Sequence, residues 1–378
     1  MAVIVVSLFL IPAALACLAY LVPTLAGRFW RAGGVSPLLQ QGADGDPRSG
    51  YPGSPGHSFA VLVPAHDEEG ALPRALASLA SQDYPADRVR VVVVADNCSD
   101  GTAAVTRAAG VACLERTDAD SRGKGYAIAF GLEHVLKDEP DAVLVLDADC
   151  ELNPGALRAL DAALARAEAV QAAVVSRNAD DGPAGYVAAV GAAVDAAVAA
   201  GRDRLGFAVP LRGTGMAFRR DVLRRVPWAA FGAAEDAEYG AALRAAGMRV
   251  RLAAGAVVAC ESPSHPADLY RQRRRWRAAL RTGRRWAASK PLVLAHLAAT
   301  VAASAAVGLL PWAAVPVGLT AAVYLRAVVE VGFSRKRFGL LLRSPAVVLR
   351  LGWLSLAGLV GGKPAGWDRT PRPAGAAA

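Results

Sequence analysis

Two aspartates, Asp147 and Asp149, follow an almost wholly apolar run, Ala142-Val143-Leu144-Val145-Leu146. Carboxylates two residues apart in a loop can share one hard divalent cation with a diphosphate. The same pair also occurs in plain solvated turns, so its place after a buried run is what makes it informative. Asp96, in Asp96-Asn97-Cys98-Ser99-Asp100, closes an earlier apolar run and makes a second acidic loop. Glu235, Asp236 and Glu238 form a third acidic group among apolar residues. Acids suit the first turn of a helix. They suit equally a general base that takes a proton from an acceptor hydroxyl. Arg212-Gly213-Thr214-Gly215-Met216 is a glycine-bearing turn between an apolar segment and an expected helix start. Such glycines serve a tight turn or a close approach of backbone to ligand. Gln272-Arg273-Arg274-Arg275-Trp276 sets basic residues around an aromatic, just ahead of a long apolar stretch. An interface belt or a lipid-facing basic surface explains the arginines and the indole singly. Neither needs the glutamine or this spacing.

The elements that would hold these groups follow a regular rhythm. Residues 59–63 read as a buried strand, 68–82 as a helix and 89–94 as a strand. Residues 101–109 are an expected helix, 110–114 a strand, 124–136 a helix and 142–146 a strand. Strands apolar on both faces and separated by helices indicate a parallel sheet. In open sheets of this kind ligands bind beyond the carboxyl ends of the strands. His66-Asp67-Glu68-Glu69, Asp96 to Asp100, and Asp147 to Asp149 all lie at such ends. Residues 184–200 form an alanine-rich helix with few charges, for which burial in a core and contact with a membrane stay equally open.

The chain has 378 residues, 54% of them hydrophobic, with a net charge of +9. The apolar surplus sits at the two ends. Residues 1–27 carry no charged side chain, which is long enough to cross a bilayer at roughly 20 residues. Arg28 and Arg31 follow, so the positive-inside rule puts the next domain in the cytoplasm. Residues 28–57 are a linker rich in glycine, proline and serine. Residues 58–285 are the expected catalytic domain and 286–333 two further membrane helices. Residues 334–378 hold an interfacial amphipathic helix, around 346–361 with Arg350 inside it, and a cytoplasmic tail. Basic clusters beside apolar segments favour anionic lipid or a diphosphate over nucleic acid, and no nucleic-acid module is visible. Five cysteines with no CxxC pair suggest neither a disulfide framework nor a zinc site.

In order and rough spacing, these segments resemble the family 2 glycosyltransferases, in particular their membrane-bound, cellulose-synthase-like branch. The matching pieces are Val61 to Glu69, Ala95 to Thr102, Arg122-Gly123-Lys124-Gly125, Leu146 to Asp149, Gly213 to Arg220, Glu235-Asp236 and Gln272 to Trp276, with Trp367 to Arg372 similar to a tail of such enzymes. The resemblance implies an α/β GT-A fold with a mainly parallel sheet, flanked by transmembrane helices, in a multi-pass protein of the cell membrane. It implies an inverting, metal-dependent hexosyltransferase that moves sugar from a nucleoside diphosphate, UDP-linked, to a lipid or glycan acceptor at the cytoplasmic face. Pro64, Ala65, Asp67, Glu68, Asp96, Lys124 and Asp147 would then border the donor nucleotide, with Asp96 on the uracil. Asp149 would hold Mn²⁺ or Mg²⁺, and Asp236 would be the base. Gly213, Thr214 and Gly215 would line the donor-sugar and acceptor site. Gln272, Arg273 and Arg275 would gather round the diphosphate, and Trp276 would lie under the acceptor sugar. From the residues alone, a nucleotidyltransferase or an inert scaffold with the same fold stays open.

Overall fold

The computed structural model describes residues 56–280 and 290–360, and the side chains of 274–296 and 354–360 fall outside the described set. The span expected at 1–27, most of the linker at 28–57 and the tail motif Trp367 to Arg372 therefore lie outside the described residues. The chain divides into two compact units. Among described residues, one comprises 56–177 and 206–261, and the other 178–205 with the helices after 262.

The first unit carries one eight-stranded sheet. Its strands are β1 (Phe59–Ala65), β2 (Val89–Asp96), β3 (Ala112–Arg116), β4 (Ala142–Val145), β5 (Cys150–Leu152), β6 (Ala169–Ser176), β7 (Met216–Arg219) and β8 (Val250–Cys260), in the order β3-β2-β1-β4-β7-β6-β8-β5. Four helices of this unit matter here: α1 (Leu72–Ala80), α2 (Thr102–Ala108), α3 (Lys124–Val135) and α4 (Ala156–Leu164). β1 shows why the first strands are apolar throughout. Val61 and Val63 face a core with Leu72 and Leu76 of α1 and Leu157 and Leu160 of α4. Leu62, between them, faces a second core with Ile128 and Leu132 of α3. Successive side chains of a strand point to opposite faces, so a sheet covered on both sides demands such a run.

The sheet is mixed rather than mainly parallel. β3-β2-β1-β4 pair in parallel, as expected, and so do β6 and β8. The pairs β4-β7, β6-β7 and β5-β8 are antiparallel. The expected turn and helix start at Arg212 to Met216 leads instead into β7. β6, with sequence AVQAAVVS, and β8 are rich in alanine, which favours helices and is depleted in strands. Neither carries a strand signal of its own. β5 and β8 bring Cys150 opposite Cys260, with Cα atoms 4.4 Å apart, and the two form a disulfide. The sequence suggested no such bridge, because 110 residues separate partners that only sheet pairing makes neighbours.

The second unit is helical: α5 (Pro183–Arg204) and, after two short helices of the first unit, α6 (Arg220–Arg225) and α7 (Glu235–Ala245), the run α8 (Pro266–Leu280), α9 (Lys290–Ala306), α10 (Leu310–Val331) and α11 (Arg335–Val360). The alanine-rich α5 packs in a core. Its Tyr186, Ala189, Val190 and Val194 meet Val323, Ala327, Val328 and Val331 of α10 and Leu340 of α11. Alanine and glycine along α5 let neighbouring helices come close. Arg337 of α11 forks onto Asp180 just before α5, through Nε at 2.9 Å and Nη2 at 2.8 Å. Among the described residues α5 and α10 are long and apolar enough to cross a membrane, although α5 is mostly covered by protein and α10 mostly not. α11 starts eleven residues before the amphipathic helix expected at 346 and runs through Pro345.

Candidate active site

The site grows from the carboxyl ends of β1, β2 and β4. β4 leaves the sheet through Leu146, buried, into the turn Asp147-Ala148-Asp149, closed by Cys150 N donating to Asp147 O at 3.1 Å. Buried Ala148 turns inward, and both aspartates are half-buried. One ligand atom from each, with one from Cys150, falls within 4.8 Å of the others. Burial, and after it the Asp147 charge, pushes the Asp149 carboxyl well above the ordinary range. Two facing carboxylates that resist joint ionisation fit a divalent cation, which removes the conflict. Cys150 is tied to Cys260, leaving the aspartates as the donor pair.

β7 runs antiparallel to β4, with Met216 opposite Val145. The segment before β7, Arg212 to Gly215, must therefore lie beside the Asp147 turn. Thr214, 3% exposed, accepts a hydrogen bond from Asp147 N at its Oγ1, 3.0 Å away. Gly213 has φ +80° and Gly215 φ +64°, the left-handed region that favours glycine. A Cβ on Gly213 would stand 3.2 Å from Lys124 Nζ, 3.6 Å from Glu235 Oε1 and 4.0 Å from Asp236 Oδ2. That one glycine thus marks where the acidic turn, α3 and α7 converge.

Lys124, the first residue of α3, is the hub. Its Nζ donates to Gly213 O at 2.9 Å and lies 2.5 Å from Asp147 Oδ1 and 3.4 Å from Glu235 Oε1. Burial pulls its pKa down, but Asp147 and Glu235 outweigh it, so the amine stays charged. Glu235 and Asp236 open α7, where the acids face the positive helix end. Burial first, and Glu235 second, lift Asp236 to about 6. A carboxyl poised there can take a proton near neutral pH.

At the far side of the edge, Asp96 closes β2 and is 5% exposed. Its Oδ1 accepts from Arg116 Nη1 at 2.6 Å and Asn97 Nδ2 at 3.0 Å. Arg116 ends β3 directly opposite Asp96, reaches Asp118 at 2.8 Å and lies over the Tyr126 ring. Pro64 and Ala65 end β1 and are buried. Asp67, at φ +52°, accepts from Ser99 N at 2.6 Å, and Glu68 N donates to Thr102 Oγ1 at 2.8 Å. The loops after β1 and β2 are laced together by these bonds.

Pro64, Ala65, Asp67, Glu68 and Asp96 thus share one sheet edge with Lys124, Asp147, Asp149, Gly213, Thr214, Gly215 and Asp236. Gln272 and Arg273 lie on α8, in the helical unit, and both are half-buried. Arg275 and Trp276 are on the same helix, with side chains outside the described residues. Sequence reasoning missed Arg116, two residues beyond the strand expected at 110–114, and Gln171, a polar residue inside β6.

A family model described as glycosyltransferase-like family 2 matches residues 55–279. The chain belongs to that family. A 4,4'-diaponeurosporenoate glycosyltransferase of Staphylococcus haemolyticus is 34% identical over 100 residues, 25% of each chain. The probable glycosyltransferase YdaM of Bacillus subtilis is 26% identical over 57% of this chain and 54% of its own length. The chain therefore spans about half or less of the length of these curated relatives. The mannosyltransferase PcManGT of Pyrobaculum calidifontis, solved with GDP-Man and Mn²⁺, superposes with a TM-score of 0.51 at 21% identity over 93% of this chain and 96% of its own. At that identity the likeness concerns the fold, which is the GT-A-like mixed α/β sheet.

Proposed function

We propose that the protein is an inverting glycosyltransferase that uses a nucleoside-diphosphate sugar, UDP-linked, to glycosylate a lipid or glycan acceptor at the cytoplasmic membrane face. One observation carries the reading. The Asp147–Asp149 turn and the Glu235–Asp236 start of α7 meet across Gly213, with the Lys124 amine between them. A divalent cation, Mn²⁺ or Mg²⁺, held by Asp149 with Asp147, would supply charge neutralisation to the departing diphosphate. Lys124, 2.5 Å from Asp147 Oδ1, orients that carboxyl and adds positive charge to the same corner. Asp96 receives the base. Asp236 accepts the proton of the acceptor hydroxyl as its oxygen bonds to the anomeric carbon and the bond to the diphosphate breaks. One displacement inverts that carbon, and no second nucleophilic carboxylate is required. The roles that the resemblance implies for Gln272, Arg273, Arg275 and Trp276 belong to the proposal and are open to substitution.

The test is a screen of nucleotide sugars for hydrolysis by detergent-purified protein supplied with MnCl₂. Turnover of at least one donor is expected in the wild type. Asp149→Asn should abolish both turnover and metal-dependent nucleotide binding. Full activity in EDTA would remove the metal from the reading, and no turnover of any donor would remove the reading itself.

A further inference from the structure

Inside β6, ahead of its closing Ser176, one polar side chain stands among alanines and valines. Gln171 is 1% exposed, and a buried amide without partners is costly. Its partners identify its work. The β6-β7 ladder ends at Gln171 opposite Met216, where Gly215 and Gly213 turn the chain away in the left-handed region. One backbone bond follows, from Ala172 N to Gly215 O at 2.8 Å, and beyond it the Gln171 amide continues the pairing. Oε1 accepts from Arg212 N at 2.9 Å, and Nε2 donates to Thr214 O at 2.8 Å, to Ala172 O at 3.0 Å and more weakly to Gly215 O at 3.4 Å. One side chain therefore ties Arg212 to Thr214 across the loop, while backbone bonds to Ala172 and Val145 hold Gly215. From that loop Thr214 Oγ1 fixes Asp147 N, and Gly213 O fixes Lys124 Nζ.

We infer that Gln171 is a positioning residue for the diphosphate and metal corner: it sets the Arg212–Gly215 loop, and through it the Asp147 turn and Lys124. The inference rests on the glycosyltransferase reading for what that corner binds. It touches no donor itself. Its effect passes through two hydrogen-bonded steps, each with backbone on one side, so the register of the loop is what it controls. The neighbouring packing is equally strict. A Cβ on Gly215 would come within 2.6 Å of Val258 Cγ2 and 2.9 Å of Ala172 Cβ, so the loop sits against β6 with no space to shift sideways.

The experiment titrates MnCl₂ with UDP, and MnCl₂ with GDP, into detergent-purified full-length chains by calorimetry, well below the melting temperature of each. Gln171→Met keeps the length of the side chain and removes the donor and the acceptor. It should weaken Mn²⁺-dependent nucleotide binding at least tenfold in a folded protein. Gln171→Glu is nearly isosteric and, when protonated, offers one O–H donor and one carbonyl acceptor. It should bind nearly as the wild type at pH 6.5 and lose affinity relative to it at pH 8.5, as the buried carboxyl ionises opposite Thr214 O. A Gln171→Met protein with a lower melting temperature but wild-type affinity would reduce Gln171 to a structural role and overturn the inference. Should Gln171→Met fail to fold, an equal ratio of Gln171→Glu to wild-type affinity at both pH values overturns it instead. Asp149→Asn separates the two levels. If it loses binding while both Gln171 variants keep it, only the positioning role falls. If the wild type binds neither nucleotide with Mn²⁺, the reading of the site falls and this inference with it.

Discussion

Asp236 and Glu235 are adjacent carboxyls with different surroundings. Glu235 is buried and faces Lys124, whereas Asp236 is half-buried, takes a hydrogen bond from Ala237 N and titrates near 6. The Lys124 and Arg212 charges only partly offset the burial and the Glu235 charge that raise Asp236, which leaves it able to exchange a proton. Asp236→Asn should lower transfer about 10² to 10⁴-fold, the usual weight of a general base. Donor affinity should stay near wild type, because the proposal assigns the diphosphate to Asp147, Asp149 and Lys124. Steady-state kinetics beside calorimetric nucleotide binding makes the comparison. Parallel loss of both would reassign Asp236 to metal or structure, and an unchanged rate would pass the base role to Glu235. As the proposed base, Asp236 would act in its ionised form, so activity should be present at high pH and lost as pH falls through about 6, approaching tenfold per unit below it. A pH profile of transfer that stays flat from 7 to about 5 would not agree with that assignment.

At the scale of elements, α3 is held against the sheet by absent side chains. A Cβ on Gly131 would lie 2.3 Å from Leu62 Cδ1, and one on Gly125 would lie 2.1 Å from the backbone oxygen of Ala230. Trp228 Nε1 donates to Gly125 O at 3.1 Å and to Ala230 O at 3.2 Å, closing the same contact. Lys124 begins this helix, so the depth of α3 decides where its amine lies. A flexible side chain can move aside but a backbone carbonyl cannot. Gly125→Ala should therefore cost about 1–3 kcal/mol, the range for overpacking. Urea unfolding should report a lower midpoint at unchanged slope. Nucleotide binding should weaken too, since relief requires α3 or the 228–231 segment to shift. A midpoint equal to that of the wild type would mean that α3 does not pack as described. The glycines of Arg122-Gly123-Lys124-Gly125 thus have separate tasks. Gly123 takes φ +130°, and Gly125 gives up its Cβ to Ala230.

At the scale of the whole molecule, the helical unit exposes large apolar side chains. Leu310, Trp312, Val315, Leu325 and Val329 of α10 are exposed, as are Phe338, Leu342, Leu349 and Trp353 of α11. On α11 the last four lie opposite the covered Leu340, Val347 and Leu351, so this helix is apolar on two sides. The proposal that the sheet unit lies in the cytoplasm and the α9-α10 turn outside, which follows from the positive-inside rule, is open to test. In cells expressing chains stripped of native cysteines, a membrane-impermeant maleimide should spare a cysteine at exposed Ala77 and label one at exposed Leu310. Labelling at Ala77 would reverse the orientation.

What could be read in the sequence was whatever depends on neighbours along the chain. Alternation and apolar runs gave β1 to β4 and the helices between them. The acidic residues at their ends followed, because a strand's carboxyl end is fixed once the strand is. Asp96, Asp147 and Asp149 were legible in this way, the Glu235-Asp236 pair stood out only as an acidic run before an expected helix, and ordered motifs supplied the family. What stayed hidden depends on pairing across the sheet. Alanine-rich β6 and β8 carry no strand signal of their own, and they become strands because β7 and the cores beside them leave no other way to satisfy their backbone groups. With them went the antiparallel half of the sheet and the meeting of Cys150 with Cys260; the opposition of Arg116 and Asp96 was hidden separately, because β3 runs two residues past its expected end. Gln171 belongs to the same class. Its sequence neighbours make it look like a flaw in an apolar run, and only the loop folded against it shows which hydrogen bonds a buried amide there completes.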